Sequence, residues 1–353
     1  MNIRNMVRRG RLATAIAVAT LSLIVGSVNQ AKAQAPAAGQ AIRVITLPTD
    51  PAGNRPPVFT AVAISPDGQL VAGGGDDHLV RLWTLADGKL THAIVGHNDW
   101  LRCLTFSPNG QTLSAAGDCR RVHLWDVATG KSRLVLPKQE LPIYSAHYSP
   151  DGKVLATVGF DNKLKLYSTA DGQLLQQLDC PTSDMRSVQF SPDGTLLACG
   201  GHGVIRVWAA ADGKVLKEIP VADRLRIRAL IFSPDGTQLA SAGDDRMIRL
   251  WDVKSGQAVM SLDSRTAKVH ALAFCSPKLL ASGGSDNVIH IWDLNSRQEL
   301  RRLEGHTGTV ASLAANPTAG VLASGSFDTT IRIWSLAHLG DAAARPEPAV
   351  LRQ

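Results

Sequence analysis

The sequence predicts an all-β protein in which seven similar units form a ring, and two recurring features predict it. An aromatic residue recurs at intervals of 41 to 43 residues, and in the first five units a Ser-Pro-Asp-Gly turn (Asn for Asp in the second) precedes it. Proline fixes φ, aspartate hydrogen-bonds its own backbone and glycine supplies a positive φ, so each tetrapeptide predicts a hairpin turn. The recurring aromatic residues are Trp83, Trp125, Tyr167, Trp208, Trp251, Trp292 and Trp334.

Each unit contains four short strand-like segments, which in the fifth unit are about residues 226–232, 238–242, 247–251 and 258–262. A four-stranded sheet of this length cannot bury both of its faces alone, whereas sheets stacked around an axis bury them against each other. The sequence therefore predicts a seven-bladed β-propeller of four-stranded antiparallel blades, forming a single domain over residues 39–336.

The ends of the chain predict how the ring closes. Residues 39–47 resemble the outer strand of the fifth unit, whereas the seventh unit lacks such a strand because the chain becomes rich in Ala and Pro after Trp334. An incomplete blade would expose a sheet edge, so we expect the N-terminal strand to complete blade seven. Residues 34–38 are expected to form a flexible lead and residues 337–353 a flexible tail.

The units resemble Trp-Asp (WD) repeats. Trp125-Asp126, Trp251-Asp252 and Trp292-Asp293 carry the dipeptide, and Gly96-His97 and Gly305-His306 carry the opening pair. The resemblance implies a structural hydrogen-bonded tetrad, which is complete only in blade seven, as His306, Ser324, Asp328 and Trp334. In blade two the same alignment gives His97 but places Cys119 where aspartate is expected. The resemblance implies that these residues support the blades, so no catalytic residue, cofactor or metal is expected.

The first 33 residues resemble an export signal. A basic segment from Arg4 to Arg11 precedes a 17-residue, mostly apolar run, and Ala31-Lys32-Ala33 follows. This order predicts a secretory signal peptide that is cleaved after Ala33. We expect an exported, bacterial-type protein that is periplasmic or secreted; an uncleaved membrane anchor is the alternative, and the general secretory and twin-arginine routes both remain open.

Charge and cysteine content exclude other classes. Five of the 37 basic residues and none of the 30 acidic residues lie in residues 1–33, which leaves 32 against 30 in the rest of the chain. This balance argues against a nucleic-acid-binding surface. The five cysteines are odd in number and have no short spacing, so they predict neither a disulfide framework nor paired zinc ligands, although one disulfide remains open.

Residues that the repeat does not explain are the candidate contacts for a partner. The resemblance places them on the face where the central channel opens, with aromatic residues over blades two, three and seven and basic residues over blades four to six. Aromatic and arginine side chains are enriched as anchors in protein interfaces. The predicted partner-binding residues are Trp100, Arg102, Tyr144, Phe160, Arg186, Arg226, Arg228, Lys268, His270 and Phe327.

These features predict a non-enzymatic protein-interaction scaffold. Its expected partner is an acidic protein or peptide with apolar anchors, and the mature chain is expected to be a monomer that neither binds nucleic acid nor inserts stably into a membrane. Two alternatives remain open: an exported propeller enzyme of the lactonase or quinone-dependent dehydrogenase type, and a binder of small ligands or sugars at the channel mouth.

Overall fold

The computed structural model describes residues 40–47, 56–221, 225–264, 267–337 and 339. These residues form 28 strands and no helix. They therefore contain no helical segment that could span a membrane. The predicted signal peptide and the lead at 34–38 lie outside the described residues. Blade one comprises β2 (Phe59–Ile64), β3 (Leu70–Gly75), β4 (Leu79–Thr84) and β5 (Leu90–Val95), and blade two comprises β6 (Leu101–Phe106), β7 (Thr112–Gly117), β8 (Val122–Asp126) and β9 (Ser132–Val135).

The next three blades repeat this order. Blade three comprises β10 (Ile143–Tyr148), β11 (Val154–Gly159), β12 (Lys163–Ser168) and β13 (Leu174–Asp179). Blade four comprises β14 (Ser187–Phe190), β15 (Leu196–Gly200), β16 (Val204–Ala209) and β17 (Val215–Pro220). Blade five comprises β18 (Ile227–Phe232), β19 (Gln238–Gly243), β20 (Met247–Asp252) and β21 (Ala258–Asp263).

The last two blades differ in how they are completed. Blade six comprises β22 (Val269–Ser276), β23 (Leu279–Gly284), β24 (Ile289–Asp293) and β25 (Gln298–Leu303). Blade seven comprises β26 (Val310–Asn316), β27 (Val321–Ser326), β28 (Thr330–Ser335) and β1 (Ala41–Thr46). The prediction of a seven-bladed propeller of four-stranded antiparallel sheets is confirmed.

The predicted closure of the ring by the N-terminal strand is also confirmed. β1 pairs antiparallel with β28, from Ala41 opposite Trp334 to Thr46 opposite Thr330. The side chain of Ile45 is buried in the same apolar cluster as Ile331. Backbone pairing and apolar burial therefore both fix the first strand to the last blade.

The hairpin turns have the geometry that their sequence predicts. In blade one the Ser65 hydroxyl donates to the Asp67 carboxylate at 2.5 Å, and the amide of Gly68 donates to the Ser65 carbonyl at 2.9 Å. Gly68 has a φ of +70°, in the left-handed region that favours glycine. The serine hydrogen bond is the main cause that lowers the pKa of Asp67.

The apolar core lies between the blades. One cluster joins Leu82 of blade one to Leu101 and Trp125 of blade two, and another joins Ile291 of blade six to Trp334 of blade seven. Because each buried layer takes residues from two neighbouring sheets, no blade has a core of its own. The stability of a blade therefore depends on both of its neighbours.

The inner strands β2, β6, β10, β14, β18, β22 and β26 line a central cavity of about 430 Å³. Polar side chains on these strands hydrogen-bond the backbone of the adjacent blade. The Thr60 hydroxyl donates to the Leu101 carbonyl at 2.5 Å, and the Ser312 hydroxyl accepts from the Val62 amide at 3.1 Å. The second contact crosses from blade seven to blade one, so the inner wall also links the two ends of the repeat.

One residue of the predicted C-terminal tail packs against the propeller. Leu339, which the sequence assigns to the tail at 337–353, is only 2% exposed and packs in a cluster with Trp334. The amide of Leu339 donates to the Leu336 carbonyl at 3.4 Å. Burial of this one apolar side chain fixes residue 339 against residues of blades six and seven, while the start of a flexible tail at 337 stays a prediction.

Candidate partner-binding site

The candidate site lies at one end of the propeller. Since strands alternate in direction, the first and third turns of each blade lie at one end, and the second turn and the connection to the next blade lie at the other. We call this second end the upper face. Each inner strand begins at the upper face, directly after the connection from the preceding blade.

A β-bulge near the start of the inner strand aims one residue of each blade into the channel. In six blades the pairing with the next strand skips the second residue of the inner strand, and Arg186 has the equivalent place in blade four. Bulges re-aim side chains and are frequent next to functional sites. These residues, the mouth ring, are Thr60, Arg102, Tyr144, Arg186, Arg228, His270 and Ala311, and all of them line the central cavity.

Arginine and aromatic side chains interleave over blades two to four. The guanidinium carbon of Arg186 lies 3.8 Å from the ring centre of Tyr144 and 5.5 Å from that of Phe160. The guanidinium carbon of Arg102 lies 4.9 Å from the ring centre of Tyr144 and 5.8 Å from that of Trp100. Such cation–π contacts fix the orientation of both partners. Cations and rings therefore stack together where the expected apolar sector over blades two and three meets the expected basic sector over blades four to six.

Carboxylates on the upper face neutralise several of these cations. Arg102 donates two hydrogen bonds to Asp118, at 2.8 and 2.6 Å, and this pairing is the main cause that raises the pKa of Arg102. Arg228 donates to Asp244 at 2.5 Å. Burial favours a higher pKa for Asp244, but the hydrogen bond and the charge of Arg228 outweigh it and lower that pKa.

Asp184 holds two further arginines. Arg186 and Arg226 each lie 2.7 Å from one of its carboxylate oxygens, which ties blade four to the start of blade five. His270 of the mouth ring is half-buried, and its pKa is lowered to about 4 by burial first and by the charge of Arg228 second. The imidazole of His270 is therefore neutral at pH 7.

The remaining predicted contacts are more exposed. Trp100 is 39% exposed beside the mouth ring, and Lys268 is exposed two residues before His270. Phe327 is 46% exposed at the second turn of blade seven, and none of the ring or cation contacts found among the described residues includes it. The structure thus brings Trp100, Arg102, Tyr144, Phe160 and Arg186 together and leaves Phe327 apart.

The tetrad of blade seven forms a continuous hydrogen-bonded chain. His306 lies 2.7 Å from Asp328 through Nδ1 and 2.7 Å from Ser324 Oγ through Nε2, and Trp334 Nε1 donates to the same hydroxyl at 2.9 Å. Burial favours a higher pKa for Asp328, but the hydrogen bond from His306 outweighs it and holds the pKa well below its usual range. Ser324 is fully buried, so this serine–histidine–aspartate set cannot reach a substrate.

Blade two places different chemistry at the same positions. His97 Nδ1 lies 3.0 Å from Cys119 Sγ, and the rings of His97 and His123 are 4.5 Å apart. One donor atom from each of the three residues lies within 4.8 Å of the other two. The spacing of the cysteines alone predicted no paired ligands, whereas here His97 comes together with Cys119 and with His123 four residues later. Their positions in the repeat could have revealed them. His97 belongs to the opening Gly-His pair, and Cys119 and His123 lie six and two residues before Trp125.

All five cysteines are free thiols, and the Sγ atoms of Cys180 and Cys199 lie 4.0 Å apart in the interior.

Comparison with known proteins gives two findings. Seven copies of a family described as "WD domain, G-beta repeat" match residues 49–84, 88–126, 130–168, 172–209, 213–252, 256–293 and 297–335. A probable serine/threonine-protein kinase, PkwA of Thermomonospora curvata, is 44% identical over 55 residues. That match covers 14% of this chain and 7% of the kinase, so the chain spans only a small part of that relative.

Proposed function

The chain belongs to the WD-domain, G-beta-repeat family, and from this premise we propose that it is a non-enzymatic protein-interaction scaffold that binds its partner on the upper face. Propellers of this family commonly bind proteins, which supports the class of function but not the identity of the partner. The match to the kinase is too short to support phosphoryl transfer by this chain.

The observation that carries the proposal is the stack of Trp100, Arg102, Tyr144, Arg186 and Phe160. Tryptophan, tyrosine and arginine are the side chains that most often dominate binding energy at protein interfaces. Here they are held in place by cation–π contacts and by the carboxylates of the upper face. A surface that is already ordered loses little side-chain entropy when a partner binds.

The contacts also favour one kind of partner. Trp100 offers an exposed ring for a bulky apolar side chain. Arg102 and Arg228 are paired with carboxylates and are less than a third exposed, so an acidic group of the partner fits better near two more accessible cations. These are Lys268, which is exposed, and Arg226, which is paired with Asp184 but is 45% exposed. We therefore propose a protein or peptide with one apolar anchor and an acidic segment beside it.

The proposed location is the periplasm or the cell exterior, with the mature protein acting as a monomer. The support is the basic segment, apolar run and Ala31-Lys32-Ala33 at the N-terminus. Mass spectrometry of the native protein should find Gln34 as its first residue. An N-terminus at Met1 in the membrane fraction would instead favour an uncleaved anchor.

Site-specific photo-crosslinking tests the binding face. A photoreactive side chain placed at Trp100 should crosslink a discrete partner from the envelope fraction. The same probe at Lys153, whose side chain is 81% exposed in a turn at the opposite end of blade three, is the matched control. The crosslinked partner is then titrated against the wild type, Arg226→Ala and Lys153→Ala.

We expect Arg226→Ala to bind the partner more weakly and with less dependence on salt concentration, because a charge contact is lost. Lys153→Ala should bind with wild-type affinity. Crosslinking at Lys153 but not at Trp100 would place the contact at the other end of the propeller and contradict the proposal.

A further inference from the structure

We propose that blade two binds one Zn²⁺ ion through His97, Cys119 and His123, which we call the blade-two cluster. The three residues come from two segments of the chain that the fold brings together. His97 follows β5 in the connection from blade one, Cys119 lies in the turn between β7 and β8, and His123 lies on β8. A bound ion would therefore cross-link blade one, the turn and the third strand of blade two.

The distances suit a small thiolate-binding ion. Zinc lies about 2.3 Å from a cysteine sulfur and about 2.0–2.1 Å from a histidine nitrogen, which places tetrahedral ligand atoms about 3.5 Å from each other. The His97 Nδ1–Cys119 Sγ distance is 3.0 Å, and all three donor atoms lie within 4.8 Å of one another. These separations bracket the required value, so small side-chain rotations are enough to complete the site.

The same residues make a poor hydrogen-bonded support. In blade seven the histidine is held at both nitrogens, by Asp328 and Ser324. In blade two the position of Ser324 is taken by Ala115, and His97 Nε2 is buried without a hydrogen-bond partner. His97 Nδ1 has only the thiol of Cys119 as a neighbour at hydrogen-bonding distance, and a thiol is a weak hydrogen-bonding group. A metal ion on Nδ1 would replace this weak contact with a bond to the metal, although Nε2 would still have no hydrogen-bond partner.

The charges around the cluster agree with a metal site. Blade seven has Arg332 where blade two has His123, so a fixed cation is replaced by a potential ligand. A neutral imidazole offers one free electron pair to a metal ion, so each of the two histidines can supply one ligand atom. Burial raises the pKa of the Cys119 thiol. Zn²⁺ binding would form the sulfur–metal bond, break the S–H bond and release that proton to solvent.

Two imidazoles and one thiol thus gather where blade one meets blade two. Thiolate and imidazole are the ligands that Zn²⁺ prefers in closed structural sites.

Metal titration of the untagged chain from Gln34, stripped with a chelator, tests the site. Co²⁺ should bind one to one with a near-ultraviolet sulfur-to-cobalt charge-transfer band, and Zn²⁺ should displace it. At a Zn²⁺ concentration about a hundred times Kd, Tm should rise by about 5 °C. Cys119→Ser and His123→Gln should weaken Zn²⁺ binding more than about a hundredfold, because loss of a direct ligand exceeds the effect of losing its supporting contacts.

Two variants separate metal binding from simple support of the fold. His290→Gln removes the histidine at the same repeat position in blade six and should leave the cobalt spectrum and the Zn²⁺-induced Tm shift unchanged. Cys119→Asp restores the carboxylate that supports blade seven, so it should fold with at least the wild-type Tm without metal but lose the charge-transfer band. If the wild type shows no such band, or if Cys119→Asp and the wild type gain equally in Tm from Zn²⁺, the proposal is wrong.

Discussion

Blades two and seven have the same four strands but stabilise their second turns by different means. In blade seven a histidine joins a buried carboxylate and a buried hydroxyl, and in blade two a histidine faces a thiol and an alanine. Both blades nevertheless keep a buried tryptophan on the third strand. The comparison teaches that the tryptophan and the hairpins suffice to form a blade, which leaves the supporting positions free to change chemistry.

Removal of β1 should have the largest effect, because it breaks blade seven itself. We expect a chain that lacks residues 34–47 to lose at least about 3 kcal/mol in free energy of unfolding, through loss of the pairing with β28 and burial of Ile45. Urea unfolding of this chain and of a C-terminally truncated control measures the loss in free energy of unfolding. Removal of residues 341–353, which keeps Leu339, is the control and should cost far less; equal losses would contradict the role of β1.

Histidine-to-alanine substitution compares the two supports directly. His306→Ala should destabilise the protein by about 2–4 kcal/mol, because the buried Ser324 hydroxyl and the Asp328 carboxylate each lose one hydrogen-bond partner and the imidazole leaves a cavity. His97→Ala, measured with a chelator present, should cost only about 1 kcal/mol, since the one polar group at hydrogen-bonding distance from its ring is a thiol. An equal or larger loss for His97→Ala would show that blade two depends on its histidine as much as blade seven does.

Acid should weaken blade two before blade seven. The pKa of His97 is about 3 in the folded protein and about 6.5 when unfolded, so the unfolded chain binds the extra proton and stability falls as pH drops below about 6.5. Asp328 has a lowered pKa, so its contribution persists at neutral pH and is lost only as pH falls below about 4.

Substitution with asparagine tests this order. Relative to the wild type and with a chelator present, His97→Asn should gain up to about 2 kcal/mol between pH 7 and pH 5. The cost of Asp328→Asn should stay constant over the same interval and shrink only in stronger acid. Unfolding by urea at each pH gives both values, and a pH-independent cost for His97→Asn would refute the assignment.

Ala115→Ser should have the smallest effect and should make blade two more like blade seven. The hydroxyl would occupy the position from which Ser324 contacts the histidine and Trp334, so it should satisfy His97 Nε2 and stabilise the protein by about 1 kcal/mol. Ala240→Ser adds a hydroxyl at another fully buried alanine and should destabilise instead. Calorimetry distinguishes the expected rise in Tm for Ala115→Ser from the expected fall for Ala240→Ser. A fall in Tm for both variants would contradict the prediction.

The sequence was sufficient for the fold because the period of the repeat is set by the geometry of one blade. The closing strand was also predictable, since residues 39–47 match an outer strand that blade seven lacks. Leu339 was not, because one apolar residue in an Ala-rich stretch has no periodic pattern to mark it as buried.

The candidate site was predictable only in part. Repeat position placed Arg102, Tyr144 and Arg186 near the channel, but not the stacking of Arg186 on a ring 42 residues earlier or the pairing of Arg226 with Asp184. Such contacts depend on how long side chains reach across neighbouring blades, which spacing along the chain does not encode. The blade-two cluster was missed for the same reason, because its ligands meet through the fold.

The pairing of β1 with β28 also determines how the protein would respond to mechanical force. Ala41, where the first strand begins, lies opposite Trp334, one residue before the last strand ends. Tension applied to the two ends of the chain would therefore pull at the same end of an antiparallel pair, and its hydrogen bonds would be loaded in sequence rather than together. The strands would unzip at low force, so the propeller would open there while its other six blades stay folded.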